Sequence, residues 1–89
     1  MKIQNNFVLR RVADTWTVLP LAEQNDRLNG ILTLTESGAM LWKLLEQGCS
    51  LDALAQALTA EYDVGEEKAL ADAARFVAKL KQVGCLDAD

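Results

Sequence analysis

NGILTLTESGAMLWKLLEQG, residues 29 to 48, changes its hydrophobic period partway along. Ile31 to Leu34 alternates as a strand does, and Thr35-Glu36-Ser37-Gly38 leads straight into an amphipathic helix. A hydroxyl at Thr35 or at Ser37 can accept from an orphan backbone N–H of the first turn and so cap that helix. Leu41, Leu44 and Leu45 then recur at helical spacing, and Gly48 suits the position after the last turn. The stretch holds no nucleophile, general base or metal ligand set, so its interest is architectural. A strand that feeds directly into a helix leaves a strand edge beside a helical body.

Working back from Asn29, Phe7 to Ala13 and Thr15 to Leu19 are rich in β-branched and aromatic residues. Ala13-Asp14 fits a tight turn between them, making a hairpin. Trp16 and Val18 share one face of the second strand, and Pro20, with no N–H, closes it. Ala22 to Arg27 reads as a polar connection. Leu28 to Leu34 reads as a third strand, with Leu28, Leu32 and Leu34 on one face and Ile31 and Thr33 on the other.

Working forward, the first helix is expected over Glu36 to Gln47. Ser50 caps a second, in which Leu51, Leu54, Ala55, Leu58 and Tyr62 line one side. A third begins near Glu66-Glu67, where acids meet the positive end of the helix dipole, and runs to Val83 and Gly84. Its apolar positions are Leu70, Ala73, Phe76, Val77, Leu80 and Val83. Its polar stripe is Lys68, Asp72, Arg75, Lys79 and Gln82, with Lys68–Asp72 and Asp72–Arg75 at pairing distance. The expectation is one α+β domain over residues 1–89, three strands followed by three helices, parts from which a winged helix–turn–helix can also be built. Its core should centre on Trp42, Leu45, Leu54, Leu58, Phe76, Val77 and Leu80.

Composition narrows the function. The chain has 89 residues, 51 % hydrophobic and 25 % charged, with net charge −4. Residues 1–27 carry four basic and three acidic groups, whereas residues 28–89 carry five basic and ten acidic ones. That acidic helical half repels phosphate, which argues against nucleic acid as a partner. No apolar run approaches the length of a membrane span, and the N-terminus does not read as a secretory signal. Cytoplasmic residence is the default. With two cysteines and no histidine, no zinc ligand set is available, and no cofactor is expected. Cys49 and Cys85 read as small, semi-buried residues. An enzyme is the weakest reading, since neither a Gly-rich phosphate loop nor a cysteine triad can be assembled.

Three pieces of the chain together resemble the coenzyme PQQ synthesis protein D family, the stand-alone form of the RiPP recognition element. Phe7-Val8-Leu9-Arg10-Arg11-Val12-Ala13 is similar to its opening strand. Leu34-Thr35-Glu36-Ser37-Gly38, Leu41-Trp42-Lys43-Leu44-Leu45 and Gly48 match its central signature. Leu58, Tyr62-Asp63-Val64, Asp72, Phe76, Leu80 and Gly84 follow its C-terminal pattern. Thr35 stands where the family usually has asparagine, and Ser37 where it often has threonine; both keep a capping hydroxyl. Nothing in the chain points to PQQ itself, which favours a divergent relative.

The resemblance implies a non-catalytic adaptor that binds the leader of a ribosomally made precursor peptide and presents it to a maturation enzyme, often a radical SAM enzyme. It also implies a three-stranded antiparallel sheet packed on a three-helix, winged helix–turn–helix-like body, with the leader as an added strand against the third strand, covered by the third helix. That assigns Ile31, Leu32, Thr33 and Leu34 to the strand side, and Asp72, Arg75, Phe76 and Lys79 to the helix side. Each residue has a plainer reading. Phe76 suits core as well as groove, the charged trio suits a solvated face, Trp16 and Trp42 suit packing, and the strand edge suits a homodimer. A winged-helix transcription regulator or another protein-interaction module is the alternative function.

Overall fold

A computed structural model of the protein describes residues 1–4, 7–20 and 32–86. Strands β1 (Phe7–Val12), β2 (Thr15–Pro20) and β3 (Leu32–Leu34) precede helices α1 (Glu36–Gln47), α2 (Leu51–Glu61) and α3 (Glu66–Gln82). The sheet is antiparallel in the order β1-β2-β3. The expected hairpin, the helix limits and the order of elements are all observed. Of the third strand, residues 28–31 lie outside the described residues, as does the connection expected over Ala22 to Arg27.

The hairpin turns on two residues, because Val12 faces Thr15 across it. Ala13 has φ 57°, the left-handed region in which an L side chain crowds the following carbonyl. From that turn the ladder can be counted. Val12↔Thr15, Arg10↔Thr17 and Val8↔Leu19 are the hydrogen-bonded pairs, since such pairs alternate along an antiparallel ladder. Trp16 and Val18 therefore aim their backbone groups at β3, where they face Leu34 and Leu32. Phe7↔Pro20 falls on a non-bonded pair, where a proline costs β1 nothing.

The first two helices begin with side-chain caps that the sequence carries. Thr35 Oγ1 accepts from Gly38 N at 3.2 Å and caps α1. Ser37 hydrogen-bonds to that same hydroxyl at 3.1 Å rather than capping directly. Ser50 Oγ accepts from Ala53 N at 3.1 Å and caps α2. Gly48, at φ 95°, ends α1 by donating to the Leu44 and Leu45 carbonyls, a conformation that favours glycine.

The core gathers one face of each helix against the sheet's inner face. Trp42, Leu45, Leu54, Leu80, Val18 and Cys85 are fully buried, with Leu58, Val77, Ala69 and Ala73 around them. The Trp42 indole stays satisfied there by donating to Glu46 at 2.9 Å. Three expectations need correction. Phe76 is only partly buried, at the border of the core. Leu70 and Val83 are 42 % and 37 % exposed. The helical stripe is wider than the face its neighbours cover; α3 buries the narrower line Ala69, Ala73, Val77 and Leu80. Trp16 does not pack inside but stands half-buried at the sheet's margin.

The N-terminal segment contributes more than its sequence announces. Ile3 N donates to Leu45 O at 3.0 Å, Gln4 N to Cys85 O at 2.9 Å, and Cys49 N to Met1 O at 2.9 Å. Ile3 bridges Leu86, and both side chains are buried. This short crosspiece ties the end of α1 to the segment after α3.

Two stability outcomes follow. Leu54→Ala and Leu80→Ala should each cost about 2–5 kcal/mol by creating a core cavity, read as a lower chemical-denaturation midpoint; unchanged midpoints would refute the burial pattern. Ala13→Gly should raise the midpoint, gaining roughly 0.5–1 kcal/mol as relief of the left-handed strain outweighs the extra freedom of the unfolded glycine.

Candidate functional site

The β3 edge sets the site. Leu32 is buried and Leu34 half-buried on the core face, while Thr33 is exposed on the other. Because Leu32 and Leu34 spend their backbone groups on β2, the N–H and C=O of Thr33 point away from the sheet. No strand covers that side among the described residues. Of the expected strand residues, Leu32, Thr33 and Leu34 thus occupy an open edge; Ile31 lies outside the described residues.

The expected helix residues share one flank of α3. Asp72, Phe76, Lys79 and Val83 stand at i, i+4, i+7 and i+11, beside the buried line, with Arg75 next to them. Phe76 fixes where this flank lies. A Cβ placed on Gly38 would come within 3.3 Å of Leu34 Cβ and 3.4 Å of Phe76 Cε1. The ring therefore meets the first turn of α1 at the end of β3, and glycine is what lets it approach so closely. Asp72 is half-buried and takes both neighbouring cations: Lys68 Nζ at 3.5 Å, and the Arg75 guanidinium in a hydrogen-bonded ion pair. Both pairs are those the sequence predicts. Lys79 forms no ion pair among the described residues.

Elsewhere on the surface, the sequence reading missed a cluster around Trp16. Its ring lies 5.2 Å from the Arg11 guanidinium carbon and 4.7 Å from Lys43 Nζ. Its indole N–H donates to Glu36 at 3.2 Å, and Arg11 reaches the same carboxylate at 3.6 Å. The signal was there in the hairpin register, which sets Arg11 directly opposite Trp16. Beside it, Trp16, Met40, Leu44 and Tyr62 line an open cleft of about 380 Å³. Tyr62 is 40 % exposed at the end of α2.

The two cysteines are shielded by the fold. Burial pushes the Cys85 thiol up to about 11. It also raises Cys49, against the weaker opposing pull of the N-terminal charge. Both thiols are protonated near neutral pH and are poor nucleophiles. Among the described residues no group of three His, Cys, Asp or Glu is placed to hold a metal ion, and no helix is long and apolar enough to cross a membrane.

Comparison with known proteins bears on this geometry. The family model for coenzyme PQQ synthesis protein D matches residues 10–86, and the chain belongs to that family. It is similar to TbiB1, solved in complex with the TbiA(beta) leader peptide, with a TM-score of 0.78 and 27 % identity over 100 % of both chains. It also shares its fold with a lasso peptide synthetase B1 solved with its leader peptide. There the TM-score is 0.72 at 23 % identity, covering 94 % of this chain and 93 % of that one. No curated protein sequence matches the chain as a relative.

Gly38→Leu should destabilise the protein by about 1–3 kcal/mol through overpacking and displace Phe76. Thermal melting and the methyl and aromatic NMR shifts of Leu34 and Phe76 check it; an unchanged melt with unchanged shifts would contradict the close approach.

Proposed function

We propose that this chain is a non-catalytic adaptor that captures the leader of a ribosomally synthesised precursor peptide by strand addition and presents it to a modifying enzyme. The observation that carries this reading is the open β3 edge, in a fold similar at 27 % identity to a protein solved with a leader peptide. Main-chain pairing along such an edge provides affinity, and nearby side chains provide selection. In this reading Ile31, Leu32, Thr33 and Leu34 form the pairing strand, Phe76 walls the groove, and Asp72, Arg75 and Lys79 orient the peptide. Resemblance to the family suggests a radical SAM enzyme as the recipient. Tethering the precursor raises its effective concentration at that enzyme without any chemistry on this chain.

Thr33 gives the reading a sharp test. A proline is tolerated on an edge strand where its missing N–H would face solvent, so Thr33→Pro should still fold. It should nevertheless lose the donor an added strand needs and bind the leader at least about tenfold more weakly. Thr33→Val keeps the backbone groups and should bind as wild type does. The measurement is calorimetric titration with a candidate leader peptide, together with amide shift mapping. Equal binding by Thr33→Pro, or shifts confined to the β1–β2 hairpin and α2, would refute strand addition at β3. Association of the free chain into dimers that Thr33→Pro disrupts would instead assign the edge to a second copy.

A further inference from the structure

The α3 flank beside the β3 edge differs in charge from the rest of the molecule. The chain carries net charge −4, yet this flank holds Lys68, Arg75 and Lys79 against the single carboxylate of Asp72. The side chains of Lys68 and Arg75 are 67 % and 74 % exposed, whereas that of Asp72 is 33 % exposed. Solvent, or an incoming peptide, therefore meets cations first. Two of the three are already engaged by Asp72, which leaves Lys79 as the cation without an intramolecular partner among the described residues.

A strand added along β3 has its side chains alternating between two faces. Those on the same face as Leu32 and Leu34 turn toward α3. Where they meet Phe76 and Val83 they need an apolar side chain; where they meet Lys79 and Arg75 they need a carboxylate. We propose that the peptide held at this edge is acidic: an extended segment with an apolar side chain against Phe76 and an aspartate or glutamate paired with Lys79. The inference rests on the strand-addition reading above and adds the charge of the occupant to it. Asp72 then acts as an internal competitor. It occupies Arg75 and Lys68 when the groove is empty, and so restricts charge recognition to the position facing Lys79.

A randomised library of peptides of about twelve residues, displayed on phage and panned on the intact chain, supplies a probe without knowledge of the precursor. Binders should share alternating apolar positions and at least one Asp or Glu. The tightest binder, and versions with that acid changed to Gln or to Lys, are then titrated against wild type, Lys79→Glu and Asp72→Asn. On wild type, acid to Lys should cost about five- to tenfold in affinity; on Lys79→Glu the order should reverse. Asp72→Asn should bind the acidic peptide more tightly, by freeing Arg75 and Lys68. Circular dichroism and melting of both variants should stay close to wild type, because Lys79 is exposed and the ion pairs of Asp72 lie at the surface, where such pairs contribute little. Binders that are lost with Thr33→Pro but show neither acid enrichment nor charge reversal with Lys79→Glu would overturn the acidic assignment and leave the adaptor reading standing. Binders indifferent to Thr33→Pro would overturn both.

Discussion

A single residue separates β3 from α1, and the rest of the site follows from that junction. Thr35 is extended at φ −75° and ψ 176°, and α1 begins at the next residue. With no slack in the connection, the direction of α1 fixes where the β3 edge lies, and the hydroxyl that caps the helix holds the corner. Gly38, one turn in, then decides how closely α3 can come. Strand edge, helix start and the Phe76 flank are thereby locked into one arrangement. A preformed edge of this kind avoids much of the ordering cost that a flexible binding loop would incur on association.

A sheet of three strands depends on a hydrophobic face packed against the helices for its stability. Its inner face supplies Val18 and Leu32 to the core. Its margin is held by the Trp16 cluster, in which one carboxylate, Glu36, receives both the indole N–H and Arg11. Glu36 is also the first residue of α1, so β1, β2 and the start of α1 meet at one side chain. Individually these exposed contacts are weak. Their value is geometric: through Glu36 they tie the β1–β2 hairpin to the start of α1, just past the end of β3.

Much of this was legible in the sequence, and what was not has identifiable physical causes. Helix limits were readable because caps are local: Thr35, Ser50 and Gly48 carry their instructions within a few residues. The ion pairs of Asp72 were readable for the same reason, being one turn apart on α3. Burial at the borders was not. Leu70, Phe76 and Val83 look alike on a helical stripe, and only the width of the neighbouring surfaces separates a core residue from a half-exposed one. Trp16 was misjudged because its partners arrive from β1 and α1, which no local pattern relates. The crosspiece of Ile3 with Leu45 and Leu86 joins residues far apart in the chain, and its short polar surroundings gave no periodic signal. Leu32, Thr33 and Leu34 were legible as a strand from their alternation. Which backbone groups point outward could be settled only after the hairpin register was known.

The two sides of the proposed groove answer different questions about recognition. Backbone groups at Thr33 present the same donor and acceptor to any extended chain, so they supply affinity with little sequence preference. Selection has to come from α3, where few side chains are free to contribute. Of the charged groups there, Asp72 already engages Lys68 and Arg75, and the buried line of α3 is occupied by the core. What remains is an aromatic ring held against the end of β3 and a lysine one turn beyond it. A site built this way reads its partner sparsely, by an apolar contact and a charge at a set spacing. In the proposed groove such contacts would govern encounter and specificity more than they slow departure, as charged contacts at the rim of an interface do.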